Sequence, residues 1–125
     1  MRIDITFIAT GLIFLLIGLV FGVWMGVSNN LQFASVHAHW NLLGFVAGAL
    51  YGLIHRAYPK LRESRLAWPQ FFIHYAGVLV FAPGFMLAIT TDNPTVAIIG
   101  AVLVILATLT FTWMFISRAK ALAAQ

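Results

Sequence analysis

The sequence contains no cysteine, which excludes disulfides, thiolate metal sites and covalently attached c-type haem. Charge is scarce. Only 8% of the residues are charged, against about a quarter in an ordinary soluble domain. The acidic side chains are Asp4, Glu63 and Asp92, and each falls at the end of an apolar run. With no carboxylate inside a run, a carboxylate proton relay of the kind used by pumps is not expected. No Ser/His/Asp set, phosphate-binding glycine loop or zinc-protease spacing is present. The net charge of +4 would suit nucleic acid, but the basic residues flank apolar runs. They read as membrane flanks, and no nucleic-acid partner is expected.

What is abundant is apolar surface, at 62% of the residues. Four runs stand out, at roughly 5–28, 34–58, 66–89 and 94–117. Each meets the ~20 residues needed to cross hydrocarbon as a helix. The links between them are short: SNNLQF, PKLRESR and TTDN. Short links join antiparallel neighbours, so residues 1–125 are expected to form one all-α, four-helix membrane bundle. The first run is longer than a secretory signal core and ends in GVSNN without an A-x-A site, so it reads as a retained helix. Arg56, Lys60, Arg62 and Arg65 surround the middle link, Arg118 and Lys120 the C-terminus, and Arg2 the N-terminus. The positive-inside rule then places both termini in the cytoplasm of a bacterial-type inner membrane, with the chain multi-pass in the lipid bilayer.

The second run, ASVHAHWNLLGFVAGALYGLIHRAYPKL, carries His37, His39, Asn41 and His55. Ionisable groups at membrane depth are costly and need a reason. At ~100° per residue, His37 and His39 point to nearly opposite sides of the helix. His37, Asn41, Gly44, Gly48, Gly52 and His55 are expected on one face, and His39 among Leu43, Val46, Leu50 and Leu53 on the other. The four-residue repeats of Gly44, Gly48 and Gly52, and of Gly18, Gly22 and Gly26, suit close helix contact. A glycine face that admits a flat macrocycle is the other reading. Neutral imidazole is the commonest nitrogen ligand, so His37 and His39 are candidates for a metal or haem iron. His55, beside Arg56, is expected at the membrane interface without a ligand. His74 is either a packing residue or a partner for His55. Tyr51, Tyr58, Tyr75, Thr108, Thr110 and Thr112 are available for hydrogen bonds or a water chain.

The segment from His37-Ala38-His39 through NLLGFVAGALYGLIHRAYPKL resembles the tenth helix of subunit I of the haem-copper oxidase superfamily, nitric oxide reductase-like branches included. There an H-x-H pair opens a helix near the outer side and runs on through a glycine-rich stretch. FFIHYAGVLVFAPGFML resembles the helix that follows it in that family, with Gly77, Val78 and Pro83 in place. The resemblance implies that His37 binds a high-spin haem and His39 a low-spin haem. Asn41, Gly44, Gly48 and His74 are further cofactor-binding candidates, although His74 matches no family ligand. The family's subunit has twelve helices in three arcs of four. This chain lacks the helices bearing the opposite haem ligand, the copper-binding histidines and the cross-linked tyrosine.

A homotrimer of four-helix chains would rebuild the twelve-helix plan. His39 of one protomer and His37 of the next would then clamp a b-type haem, with up to three haems per trimer. The expected function is electron transfer or redox chemistry with quinol or a small oxidant such as oxygen, superoxide or nitric oxide. Any enzymatic activity would be that of an oxidoreductase. The alternatives are a non-enzymatic haem or gas sensor, a copper- or zinc-binding membrane protein, and a structural accessory subunit.

Overall fold

The computed structural model describes residues 1–124. Among them every regular element is helical. Helix α1 spans Ile3–Val27. Helix α2 runs without a break over 34–57, as an α-helical start Ala34–His39, a π-helical middle Trp40–Ala47 and an α-helical end Gly48–Ala57. A 3₁₀ turn, Pro59–Glu63, leads to α3 (Ala67–Thr91), α4 (Thr95–Ser117) and a short α5 (Ala119–Ala123).

The ends follow from local chemistry. Asp4 in the first turn of α1 complements the positive end of the helix dipole and is held by Arg2. Asn29 and Asp92 adopt the left-handed conformation, with φ of 53° and 56°, just after α1 and at the end of α3. Short polar side chains tolerate that conformation best after glycine. Pro59 follows α2, where a proline cannot continue the helix. Before α4, the Asn93 Oδ1 accepts from the Thr95 N–H (3.1 Å) and the Thr95 hydroxyl (2.7 Å).

Helices α1, α3 and α4 are each long and apolar enough to cross a membrane. Their outward faces carry large apolar side chains, such as Leu16 (64% exposed), Val20 (71%), Ile105 (56%) and Trp113 (65%). A helix apolar on all sides belongs in lipid or in a large core.

The bundle is built from two hairpins, α1–α2 and α3–α4, with backbones close within each and farther apart between them. Glycines set the close approaches. A Cβ on Gly11 would meet Phe45 O at 3.3 Å, one on Gly77 would meet Val104 N at 2.9 Å, and one on Gly84 would meet Ala97 N at 2.5 Å. Aromatic side chains fill the seam between hairpins. Phe7 meets Phe71 (4.9 Å between centroids), and Phe14 meets Tyr75 (4.9 Å).

One end of the bundle, the basic end, gathers the N-terminus, the 58–66 connection and the start of the C-terminal tail. There the Arg118 guanidinium donates to Lys60 O at 3.2 Å. The connections between α1 and α2 and between α3 and α4 lie at the distal end.

Candidate functional site

The H-x-H pair occupies the distal third of α2. His37 and His39 leave the helix on opposite sides. His37, half-buried, turns towards α1, where Phe21 lies 6.1 Å away between ring centroids. Gly22 makes the room, since a Cβ there would stand 2.9 Å from the His37 ring. Asn41, one turn on, donates from Nδ2 to His37 Nε2 (3.3 Å) and packs on Gly18. His37 Nδ1 and Asn41 Oδ1 remain buried without a partner. His39, also half-buried, turns towards α3 and lies between Phe81 (5.5 Å) and Phe85 (5.4 Å). Its Nδ1–H donates to Ser35 O at 2.7 Å, which fixes the tautomer and leaves Nε2 as a bare acceptor. Imidazoles that bind metals commonly hold their second nitrogen in this way.

The single polar and glycine stripe expected along α2 is divided in the structure. Gly44 and Gly52 face α1, where they meet Phe14 and Phe7, but Gly48 faces Tyr75 of α3. The cause is the π-helical segment, whose wider turns shift the register between the two ends of α2. The faces of Gly44 and Gly48 are filled by this chain's own Phe14 and Tyr75, so both glycines serve close packing here. On the other side, Leu50 and Leu53 face outward, about half exposed, while His39 is covered by phenylalanines.

The π-helical segment gives two carbonyls to α3. His74 Nε2–H donates to Leu43 O (2.9 Å) and the Tyr75 hydroxyl to Gly44 O (3.0 Å). Side chains that compete for a helix's carbonyls are a recognised cause of such distortion. His74 is thus fully buried and tied to the segment that follows the H-x-H pair, not placed beside His37 or His39. No three His, Cys, Asp or Glu side chains come together in a metal-binding group among the described residues.

His55, expected at the membrane interface, is enclosed by the chain's own helices. It is fully buried, stacked on Phe7 (6.0 Å) and edge-on to Phe111 (5.6 Å), because α1 and α4 close over this face of α2. Nearby are Gln70, which sequence reasoning passed over, and Asp4, which it placed only at the end of an apolar run. Gln70 is fully buried in α3. Asp4 is fully buried and takes three guanidinium contacts, from Arg2 (2.6 Å), Arg62 (3.3 Å) and Arg56 (3.8 Å). The excess of arginine around 56–65 was the one available signal that a single acid nearby would be enclosed. The threonines at 108, 110 and 112 spend their hydroxyls on carbonyls one turn back in α4, and Thr108 also meets the Tyr51 hydroxyl at 3.1 Å.

Compared with protein-family models, curated proteins and solved structures, the chain matches none.

Proposed function

We propose that this chain is a haem b-binding membrane cytochrome, related to subunit I of the haem-copper oxidases and assembled as a homotrimer. It lies in a bacterial-type inner membrane with both termini in the cytoplasm, α2 serving as the fourth span. It exchanges electrons with quinol or with a small oxidant.

The observation that carries the reading is the divergence of His37 and His39 from one helix, towards α1 and towards α3. The donor set fits a haem iron. His39 offers a bare Nε2 held by a fixed tautomer, and His37 has an Nε2 lone pair, now met only by the Asn41 amide at 3.3 Å, that an iron would take over. The two cannot share one iron within a protomer while they point apart. A second copy supplies the missing ligand, His37 of one chain facing His39 of the next. A haem bound between them would supply one-electron transfer. The chain's own part is to orient the imidazoles, through Ser35 O and Asn41, and to keep water away with Phe21, Phe81 and Phe85.

The test is an absorption spectrum of the purified protein, oxidised and dithionite-reduced, with a pyridine haemochrome assay and metal analysis. Sharp reduced α and β bands with stoichiometric iron are expected, and they should be lost in His37→Ala and His39→Ala. Folded variants that keep all their haem would overturn the ligand assignment. A colourless protein holding copper or zinc would make the pair a bare metal site. A colourless, metal-free protein would leave a structural bundle.

A further inference from the structure

Five polar atoms in the basic half of the bundle are buried without a partner: both ring nitrogens of His55, both amide atoms of Gln70, and Nδ1 of His74. All three side chains are fully inaccessible. They belong to one part of the interior. Helices α2 and α3 run antiparallel, and Tyr51 meets His74 edge to face at 5.3 Å. One turn nearer the basic end, α2 carries His55 and α3 carries Gln70. Phe7 of α1 covers one side, in contact with both His55 (6.0 Å) and His74 (6.5 Å), and Phe111 of α4 covers another. Beneath them lies Asp4, whose backbone carbonyl packs on Gly52 and whose carboxylate holds the arginines.

Buried polar groups are almost always paired, by protein or by ordered water. Here His55 and Gln70 are chemically complementary, since each can donate and accept, yet no direct bond joins them. Buried complementary groups that make no direct bond can be bridged by water. A metal ion does not suit the place, because only two imidazoles are available and no third ligand of the usual kind joins them among the described residues. An apolar guest would satisfy none of the five atoms. A buried water makes about three hydrogen bonds, and one or two such molecules would answer this set.

We propose that His55, Gln70 and His74 form a buried water-binding site, reached from the basic end past Asp4. The charged and titratable groups around it are Asp4, Arg2, Arg56 and Arg62 on the basic side and Tyr75 and Tyr51 on the distal side, where the Thr108 hydroxyl of α4 meets Tyr51. Water held there keeps the His55 ring in proton exchange with the solvent at the basic end, although the side chain has no exposed surface. The site is independent of the role assigned to His37 and His39.

The test is nuclear magnetic resonance of the full chain in lipid nanodiscs with isotope-labelled histidine, reading magnetisation transfer from water to each imidazole. Transfer to the His55 and His74 rings is expected, and Gln70→Leu should abolish it at His55. Gly26→Ala, at the distal end where an added Cβ would meet nothing within 4 Å, should leave it intact. Dry His55 and His74 rings in the wild-type protein overturn the proposal, as does a His55 signal unchanged by Gln70→Leu. Because the readout is solvent contact and not colour, loss of haem binding at the distal end would not alter the result.

Discussion

His74 and Leu43 are joined by a hydrogen bond of 2.9 Å from an imidazole N–H to a main-chain carbonyl. The next residue on each helix repeats the arrangement, Tyr75 donating to Gly44 O. Two consecutive donors on α3 thus meet two consecutive acceptors in the π-helical part of α2. The link ties the seam between hairpins to the segment that carries Asn41 and follows the histidine pair.

Removing one of these donors strands a buried carbonyl. His74→Leu and Tyr75→Phe should each lower the unfolding free energy by about 1–3 kcal/mol, the cost of an unmade buried bond. Denaturant unfolding in a mild detergent would measure it. Amide hydrogen exchange within 40–47 should accelerate in both variants, because the segment loses one of its two ties to α3.

Glycine positions should separate by the space around them. A Cβ on Gly26 would meet nothing within 4 Å, and Gly26→Ala should be neutral or stabilising by up to about 1 kcal/mol. Gly84→Ala would drive a methyl into the Ala97 backbone and should cost about 1–3 kcal/mol. Thermal melts of the two variants side by side would rank them.

The Asp4 cluster should respond according to contact and exposure. Asp4→Asn should lower the melting temperature most, since it leaves the arginines without their counter-charge. Arg62→Gln, at 3.3 Å and one quarter exposed, should follow. Arg56→Gln, at 3.8 Å and 61% exposed, should have little effect. Equal effects of the two arginine variants would mean that geometry does not rank them.

The proposed sharing of haem between protomers would have a genetic signature. His37→Ala and His39→Ala proteins should each be colourless. Expressed together, they should form mixed trimers with one intact junction, in which a chain that keeps His39 meets a chain that keeps His37. Recovery of part of the haem, measured by the haemochrome assay on co-purified protein, is the expected result. No recovery in mixed trimers would place both ligands of each haem on a single chain.

The apolar runs and the grouping of basic residues were legible because they are properties of composition, which survives any detail of packing. The opposite directions of His37 and His39 were legible because two residues of helix turn the chain almost halfway round. The division of the glycine stripe was not, since a π-helical segment arises from competition for Leu43 O and Gly44 O by residues thirty-one positions away. His55 read as interfacial because it adjoins Arg56, although the two side chains leave α2 in different directions, one to the core and one to solvent. Gln70 was passed over, and Asp4 was read only as the end of an apolar run, for a related reason. A single polar residue near the end of an apolar run looks the same whether it faces solvent or the interior.

The contrast between backbone-close hairpins and an aromatic seam bears on how the molecule comes together and comes apart. Each hairpin is held by contacts between helices adjacent in the chain, so it can assemble as soon as its two segments have been made. The seam can close only after both are present. Harsh detergents should therefore part the pairs before they unravel the helices, and the two halves should be able to reassociate when produced from separate genes.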